Sequence, residues 1–455
     1  MSASEFFPHM LKAVCLARRG LPFTAPNPAV GALLLQNGRI VAEGWHKKYG
    51  GPHAEIEALG DARRKGVNPA DCTLLVTLEP CNHHGKTPPC AEAILQAGVK
   101  KVVIGLSDPT PQAGGGAAWL AARGVQVIMG VAETQCRNLA ADFLFWQHSD
   151  LPYVTLKLAS TLDGCIATRS GQSRWITGKA ARARVHMLRA MSQAVLVGGN
   201  TFFEDDPLLT ARPQDFAIEG LEGNINCPAS PEGDETVWSD LACATRDYWR
   251  AKLIEQSVEP AWKNEFVNHF PSQPASQPLA VVVSGRSLDF KRPNKLLTSR
   301  GQELVFITSP RQPLFKQKRE LSKHGVRILE VPEQCAANLP IMANSQPAAT
   351  AEQQACSCSD NFLSAEELRC ALVALRRDFG CWRVLCEGGG KLALALLKAG
   401  LVQEFELHLA PRLMADALAK RLFEGLCPQN ISDTLGLSLQ SQARLGQDVV
   451  LLFKP

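Results

Sequence analysis

Several features that mark common classes of protein are missing from this chain of 455 residues. No apolar run approaches the roughly 18 to 20 residues that a membrane helix needs, so no membrane span is predicted. The formal net charge is only +4, without a basic stripe, which argues against a large nucleic-acid footprint. Fifteen cysteines make an odd count in a long chain, and a disulfide framework is not expected.

The N-terminus also lacks the pattern of a signal peptide. It carries the acidic Glu5, and Phe7, Met10, Leu11 and Val14 recur at helical spacing, which predicts the first helix of a domain. With the other absences, this favours a cytoplasmic enzyme.

The chain is longer than the roughly 250 to 300 residues at which a single core stops growing, so two domains are expected. An amphipathic helix is predicted over 132–147, and the polar residues and proline at 149–152 break that pattern. We therefore predict domains at 1–148 and 152–455. Two stretches of unlike composition, about 213–278 and 334–361, are predicted to be surface insertions in the second domain.

What the chain does contain begins with His53, Glu55, Cys81 and Cys90. One imidazole and two thiols are a typical ligand set for a catalytic zinc ion, which keeps a fourth position for water. A carboxylate that does not bind the metal can move the protons that hydrolytic deamination requires. Eight residues separate the two cysteines, whereas the usual deaminase signature has two. The pattern predicts a zinc-dependent deaminase with Glu55 as its acid and base.

The segment around these residues resembles one family closely. It runs Pro80-Cys81-Asn82-His83-His84-Gly85-Lys86-Thr87-Pro88-Pro89-Cys90, and similar matches occur at 26–31, 44–46, 50–55, 76–79 and 108–109. These segments are similar to the deaminase half of the bifunctional deaminase-reductases of riboflavin biosynthesis. The resemblance implies a cytidine-deaminase-like three-layer domain, with zinc held by His53, Cys81 and Cys90 rather than by His83 or His84.

Three further residues of this half are predicted to contact the substrate, which by resemblance carries a ribose phosphate. Lys86 and His46 are cations or potential cations, and lysine commonly binds phosphate. Asn27 lies between two prolines that fix its backbone, which suits a hydrogen bond to the sugar or base. The alternatives are a solvated loop lysine at Lys86 and a plain turn at Asn27.

The second half carries its own motifs, at 162–164, 171–177, 205–212 and 387–390. They resemble the reductase half of the same family, which implies a dihydrofolate-reductase-like α/β domain that uses NADPH. No Rossmann fingerprint opens this half, so separate loops are expected to hold the cofactor. The glycines at 388–390 lie between a predicted strand, 382–386, and a predicted helix, 391–399, where backbone N–H groups can approach a diphosphate.

The resemblance assigns roles residue by residue in this half. Cofactor contacts are expected at Ala159, Trp175, Thr201, Asp205, Gly389, Gly390, Lys391, Leu392, Ala393, Leu394 and Ala395. Substrate contacts are expected at Ser173, Arg189, Leu209, Arg212 and Glu387, with the two arginines suited to a phosphate. Lys157 and Asp205 are expected to assist opening of the ribosylamine to an imine.

Other interpretations exist for some of these residues. Leu209 is equally typical of a core residue and Arg189 of a helix surface, whereas Lys157 is hard to explain otherwise in so apolar a strand. The sequence departs from the family pattern at Thr110, where asparagine is usual, and at Ser284, where aspartate is usual.

The sequence thus predicts two consecutive steps of riboflavin biosynthesis: zinc-dependent deamination of a diaminopyrimidinone ribosyl phosphate, then NADPH-dependent reduction of its ribosyl group. A homo-oligomer, dimer or tetramer, is expected, with no nucleic-acid or membrane partner. A tRNA adenosine or free cytidine deaminase would have no use for residues 152–455. A non-catalytic protein would be expected to have lost a zinc ligand or Glu55, and neither is lost.

Overall fold

The computed structural model describes residues 3–83, 88–110, 113–212, 277–292, 294–332, 362–423, 425–426 and 428–455. The predicted insertions therefore lie almost wholly outside the described residues. The described chain forms two compact units, one ending at Ser149 and one beginning at Asp150. No helix among the described residues has the length and apolar character required to cross a membrane.

The first unit is built on a mixed five-stranded sheet in the order β2-β1-β3-β4-β5. β1 pairs antiparallel with β2 and β3, and β3, β4 and β5 run parallel. The strands are β1 Gly31–Gln36, β2 Arg39–Trp45, β3 Thr73–Leu78, β4 Lys101–Leu106 and β5 Gln126–Met129. The helices are α1 Ala3–Ala17, α2 Leu21–Thr24, α3 Ala54–Arg64, α4 Cys90–Gln96, α5 Gly116–Ala121, α6 Glu133–Leu139 and α7 Ala141–Trp146.

Helices cover both faces of this sheet. Leu34, Val76 and Ile104 of the strands share one buried core with residues of α3, α4 and α5. Since neighbouring strand residues point to opposite faces, Leu33 and Leu75 lie on the other side, where α1 packs on β1 and β3 and α6 packs on β4. This is the three-layer arrangement that the sequence predicted.

Of two helix predictions in this unit, one was wrong in detail and one is confirmed. The single helix expected over 132–147 is two helices, α6 and α7, because the backbone of Ala140 leaves the helical region with φ −93° and ψ 10°. In α1 the buried aromatic residue is Phe6, at 1% exposure, while Phe7 is 40% exposed. The predicted first helix is confirmed, and Phe6 rather than Phe7 belongs to its buried face.

The second unit is built on a nine-stranded sheet, counted over the described residues, in the order β11-β10-β9-β8-β12-β6-β13-β16-β15. The strands from β11 to β13 run parallel, and β16 and β15 pair antiparallel at one edge. β7 and β14 form a separate antiparallel pair. The strands are β6 Tyr153–Thr161, β7 Cys165–Ala167, β8 Ala194–Gly198, β9 Leu279–Val283, β10 Leu304–Thr308, β11 Arg327–Glu330, β12 Arg383–Cys386, β13 Glu404–Ala410, β14 Lys420–Arg421, β15 Ser438–Leu445 and β16 Asp448–Lys454.

The helices of this unit are α8 Lys179–Met191, α9 Gly199–Asp205, α10 Lys295–Ser299, α11 Lys318–Lys323, α12 Ala365–Phe379 and α13 Gly390–Lys398. One core cluster joins Val195 and Val197 of β8 to Phe306 of β10 and to Phe202 of α9. α12 begins with a capping box, in which Ser364 accepts from the Glu367 backbone and the Glu367 carboxylate accepts from that of Ser364.

The parallel centre of the sheet determines where a site can form. β8, β12 and β6 are adjacent, so the loops that follow their carboxyl ends meet at one edge. In open α/β sheets, ligands bind at this edge. The glycine segments that follow β8 and β12 therefore lie side by side.

Candidate active sites

The three predicted zinc ligands come together in the first unit. Cys81 Sγ lies 3.6 Å and Cys90 Sγ 3.3 Å from His53 Nδ1, and all three ligand atoms lie within 4.8 Å of one another. A tetrahedral ion with bonds of roughly 2.0 to 2.3 Å holds its ligands about 3.5 Å apart. The donor set and its spacing therefore fit zinc.

Local structure holds these ligands. His53 is the residue before α3, Cys90 is the first residue of α4, and Cys81 lies in the loop after β3. The Cys90 backbone N–H donates to Cys81 Sγ at 3.3 Å. Hydrogen bonds from Cys90 and His53 lower the pKa of the Cys81 thiol to about 4, whereas the bond to Cys81 and burial raise that of Cys90. Two thiolates this close repel each other, and a dication removes that repulsion.

Glu55 lies in the first turn of α3, two residues after His53, and is 3% exposed. Burial raises the pKa of its carboxyl group to about 7, against the opposing charge of His53. A carboxyl group of this kind exchanges a proton readily near neutral pH, which is what a general acid and base needs.

His46 and Asn27 form a hydrogen-bonded pair next to the ligands. Asn27 Nδ2 lies 3.3 Å from His46 Nε2, and His46 Nδ1 lies 2.9 Å from the carbonyl of Pro52, so the ring donates from Nδ1 and accepts at Nε2. The His46 ring meets the His53 ring edge-on with centroids 5.5 Å apart. Burial lowers the pKa of His46, which favours the neutral ring over the cation considered from the sequence. Substrate contacts at Asn27 and His46 stay predictions.

Lys86 and His84 lie outside the described residues, and His83 is an exposed loop residue. Thr110 donates through its hydroxyl to Asp108 at 2.6 Å, so it caps a turn in the loop after β4. The phosphate contact assigned to Lys86 stays a prediction.

Glu79 is a residue of this site whose role sequence reasoning missed. It follows β3, two residues before Cys81, and is 6% exposed. Its carboxylate accepts four hydrogen bonds from the loop after β4 and the start of α5: Ser107 Oγ at 3.0 Å, Asp108 N at 3.0 Å, Gly115 N at 3.1 Å and Ala117 N at 2.9 Å. The signal in the sequence was an acidic residue directly after an apolar strand, because a carboxylate that becomes buried there needs hydrogen-bond partners.

In the second unit, two glycine segments form a cradle at the edge of the sheet. A Cβ on Gly388 would lie 3.3 Å from the Gly198 backbone nitrogen, and one on Gly389 would lie 3.6 Å from Thr201 Oγ1. α13 begins at Gly390 and points its first N–H groups toward this cradle, as a diphosphate site requires. The side chains of Leu392, Ala393 and Leu394 are buried, so this segment can offer a cofactor its backbone rather than those side chains.

Ser173 and Asp205, assigned to substrate and cofactor, lie together. Ser173 Oγ donates to Asp205 Oδ1 at 3.0 Å, and Arg174 donates to the Asp205 backbone carbonyl. Trp175 is 61% exposed, with the Arg182 guanidinium 4.5 Å from its ring centroid. An aromatic face at the surface of this loop is available to a ligand.

The two arginines assigned to a phosphate have protein partners. Arg189 binds Glu387 through two bonds, Nε to Oε1 at 2.6 Å and Nη2 to Oε2 at 2.8 Å. Arg212 donates to His186 Nε2 at 2.8 Å. The pair between Arg189 and Glu387 unites two predicted substrate residues that lie 198 positions apart in the chain. The surface interpretation of Arg189 is thus wrong, and phosphate contact stays a prediction.

Leu209 is 2% exposed and belongs to the core cluster of the second unit, in agreement with its structural interpretation. Ala159 lies on β6, two residues beyond Lys157 and on the same face. Ser284 Oγ accepts from the Arg286 backbone N–H at 3.2 Å, beside the start of α9.

Lys157 lies in the middle of β6 and is partly buried. Burial lowers the pKa of its ammonium group, and the charges of Glu387 and Glu406 oppose that effect. A lysine so placed releases its proton more readily than a surface lysine, as proton transfer at a carbonyl or imine carbon requires.

Fold and site together define a zinc-binding deaminase domain joined to a dihydrofolate-reductase-like domain, and comparison with known proteins agrees. The protein-family model for the cytidine and deoxycytidylate deaminase zinc-binding region matches residues 4–106, and the family model for the RibD C-terminal domain matches residues 152–451.

Relatives match over almost the whole chain. The riboflavin biosynthesis protein RibD of Bacillus amyloliquefaciens is 45% identical over 449 residues, covering 98% of this chain and 95% of the relative. That of Actinobacillus pleuropneumoniae is 31% identical over 444 residues, covering 97% and 93%.

Solved structures agree. Acinetobacter baumannii RibD, form 2, is 29% identical with a TM-score of 0.65, covering 100% of this chain and 99% of the other. The diaminohydroxyphosphoribosylaminopyrimidine deaminase/5-amino-6-(5-phosphoribosylamino)uracil reductase of Thermotoga maritima is 27% identical with a TM-score of 0.68 over the same shares.

The chain belongs to the RibD family. It is a bifunctional deaminase and reductase of riboflavin biosynthesis that uses zinc and NADPH.

Proposed function

We propose that residues 1–148 convert 2,5-diamino-6-(5-phosphoribosylamino)pyrimidin-4-one to the aminouracil, and that residues 152–455 then reduce the product to 5-amino-6-(5-phosphoribitylamino)uracil. The observation that carries the first step is the group of His53, Cys81 and Cys90 with Glu55 buried beside it. Zinc, when bound, supplies the Lewis acid that activates a water molecule.

In deamination, Glu55 takes a proton from the attacking water and delivers it to the departing amino nitrogen. The ring carbon gains a C–O bond and loses its C–N bond, and ammonia leaves. The pKa of about 7 supports both proton transfers, because the carboxyl group accepts and releases a proton at nearly equal cost. Asn27 and His46 orient the substrate next to the ligands, as their hydrogen bond and its position support.

In reduction, NADPH supplies the hydride that reaches the ribosyl C1. Lys157 and Asp205 assist opening of the ribosylamine ring to an imine, Lys157 by giving a proton to the ring oxygen as the C–O bond breaks. Glu387 and Arg189 hold the substrate next to Lys157, which the influence of Glu387 on the charge of Lys157 supports. The glycine cradle at Gly388 and Gly389 holds the cofactor diphosphate through backbone N–H groups.

We also propose that the protein works in the cytoplasm as a homo-oligomer, a dimer or a tetramer. Composition supports the location. Size-exclusion chromatography with light scattering tests the assembly, and a monomer at assay concentration would contradict it.

The test of the two reactions follows ammonia release and NADPH absorbance with the diaminopyrimidinone ribosyl phosphate as substrate. The wild type should release ammonia without NADPH and oxidise NADPH only after deamination. Glu55→Gln should lose both signals on this substrate but still oxidise NADPH on the deaminated compound. Glu57→Gln is the matched control. Glu57 lies on the same helix as Glu55, and its carboxylate is partly exposed and paired with Lys47, so this variant should keep both ammonia release and NADPH oxidation.

Lys157→Met tests the second half in the same assay. It should release ammonia normally and fail to oxidise NADPH. Ammonia from Glu55→Gln at the wild-type rate, or NADPH oxidation by Lys157→Met at the wild-type rate, would refute the corresponding assignment.

A further inference from the structure

One face of the central sheet in the second unit carries an unusual row of titratable side chains. β6 and β13 are parallel neighbours, and their register places Glu404 opposite Thr155, Glu406 opposite Lys157 and His408 opposite Ala159. The alternate residues Leu156 and Phe405 point to the other face and are buried. The polar face is therefore the face of Lys157.

Glu406 is held firmly on that face. Arg184 of α8 donates to it through two bonds, Nε to Oε1 at 3.1 Å and Nη2 to Oε2 at 2.8 Å. The exposure of the two side chains is 12% for Arg184 and 0% for Glu406. The charge of Arg184 holds the pKa of Glu406 far below its ordinary value against the effect of burial, so this carboxylate is ionised.

His408 extends this group toward the cofactor side of the sheet. Its Nε2 donates to Glu406 Oε1 at 2.7 Å, and its side chain has 0% exposure. Burial, followed by the nearby charge of Lys157, lowers the pKa of His408, so the ring is neutral and Nδ1 carries a lone pair. That buried Nδ1 has no hydrogen-bond partner within the described part of the chain. A buried acceptor near an ammonium group is suited to receive a hydrogen bond from it.

The surroundings of Lys157 are close to symmetrical. On the β12 side, Glu387 is paired with Arg189, and on the β13 side, Glu406 is paired with Arg184. The titratable and charged groups around this face come from β13, β16, α8 and the residue after β12. They are Glu387, Glu404, Glu406, His408, Asp448, Lys454, Arg184, His186 and Arg189. Each arginine is paired with its own carboxylate. Arg184 belongs to α8, whereas Glu406 lies opposite Lys157 in the sheet, so the negative charge of Glu406 acts on Lys157.

We infer that Arg184, Glu406 and His408 are positioning residues for the reduction: Glu406 keeps Lys157 protonated and Arg184 fixes Glu406. When substrate is bound, His408 Nδ1 accepts a hydrogen bond from the Lys157 ammonium group and orients it toward the substrate. The inference rests on the proposed role of Lys157. None of the three touches the reacting atoms.

The experiment uses the full chain and supplies the deaminated substrate with NADPH. The reduction rate is measured as kcat and KM from pH 6 to pH 10, and ammonia release from the diamino substrate is measured in the same preparation as a check on folding. Glu406→Gln should move the basic limb of the kcat profile to lower pH by about one unit or more, since a charge next to a partly buried ammonium has an effect of this order. KM for NADPH and the rate of deamination should stay within about twofold.

Glu404→Gln is the matched control. Glu404 lies on the same strand and face, two residues away, but opposite Thr155, and burial raises its pKa to about 7. This control should leave the basic limb where it is in the wild type. His408→Phe, which removes the acceptor and keeps the volume of a ring, should lower kcat with little change in KM.

A second measurement does not depend on activity. Protein labelled with 13C at the lysine ε-carbon is titrated by NMR, and the Lys157 signal is assigned by its loss in Lys157→Met. Its midpoint should fall by the same amount in Glu406→Gln as the basic limb does. If Glu406→Gln proves unstable, Arg184→Met/Glu406→Met replaces the pair by apolar groups of similar volume, a change that buried pairs often tolerate, and should also lower the midpoint.

An unchanged Lys157 midpoint in every variant that removes the Glu406 charge would overturn the inference while leaving the role of Lys157 intact. Normal reduction by Lys157→Met would instead overturn the role of Lys157, and with it the reason for the cluster.

Discussion

The carboxylate of Glu79 offers the sharpest test of how the deaminase site is held. Its two oxygens each accept two hydrogen bonds from the segment 107–117, and the side chain is almost fully buried. In Glu79→Gln, one oxygen becomes an NH2 group. If the NH2 group faces Gly115 and Ala117, two backbone N–H groups face another donor. If it faces Ser107 and Asp108, the Ser107 hydroxyl can turn to accept, and the Asp108 N–H alone faces a donor.

Each hydrogen bond to a charged group contributes roughly 1.5 to 3 kcal/mol, and a buried donor left without a partner costs a similar amount. Losing one or two of the four bonds is therefore expected to destabilise the deaminase unit by about 1.5 to 6 kcal/mol. The loop that carries Cys81 begins next to Glu79, so zinc affinity should fall as well. The reductase unit should be unaffected.

The assay follows loss of ammonia release and loss of NADPH oxidation separately during unfolding in urea. With a slope of about 2 kcal/mol per M for a unit of this size, the deaminase midpoint should fall by roughly 0.7 M or more. Glu133→Gln is the control, because that carboxylate is 52% exposed in a surface pair with Arg137 and should change little. A deaminase midpoint within about 0.3 M of the wild type, which corresponds to about 0.6 kcal/mol, would refute this account of Glu79.

Other perturbations have equally definite outcomes. A Cβ on Gly44 would lie 2.3 Å from the Ala58 backbone nitrogen, so Gly44→Ala should displace α3 and lower deaminase stability in urea unfolding by about 1 to 3 kcal/mol. For Gly60→Ala the nearest atom to the new Cβ lies at 3.7 Å, so this variant should be neutral or slightly stabilising in the same assay. Removing zinc with a chelator should abolish ammonia release but not NADPH oxidation on the deaminated substrate, and added zinc should restore the first; loss of both activities would contradict this. Burial raises the pKa of Glu404 to about 7, so the folded state binds a proton more tightly than the unfolded state and stability falls as pH rises from about 4.5 through 7. Glu404→Gln should therefore increase the stability of the reductase unit at pH 8, by up to roughly 3 kcal/mol, and not at pH 4, as measured by urea unfolding at both values.

The parts of the site that sequence reasoning found are those whose chemistry is readable in short segments. A metal site was predicted from residue type and spacing, namely His53 with Glu55 and the two cysteines at the ends of one loop. β12 was predicted within one residue, because its apolar run and the glycines that follow it are local signals. The deaminase and reductase classes followed from these segments.

What the sequence did not reveal depends on contacts between distant residues. The partners of Glu79 lie 28 to 38 positions away, and those of Arg189 and Arg184 lie 198 and 222 positions away. A helical pattern gives no information on such pairing. The choice between Phe6 and Phe7 is of another kind, since both are phenylalanine and only the packing of α1 determines which of them is buried.

Polar and apolar side chains alternate along β13, and this alternation determines the register in which β13 pairs with β6. A strand shifted by one residue turns every side chain to the opposite face. Such a shift would place Glu406 and His408 among the buried apolar residues of the other face, and it would place Phe405, which is 1% exposed, on the buried polar face of Lys157. A buried charge without its partner costs several kcal/mol, more than any single pairing in the sheet contributes. The buried carboxylate that we assign to the function of Lys157 therefore also specifies the register of the strand that carries it, and a variant that replaces both Glu406 and His408 by apolar residues should lose that specification along with reduction.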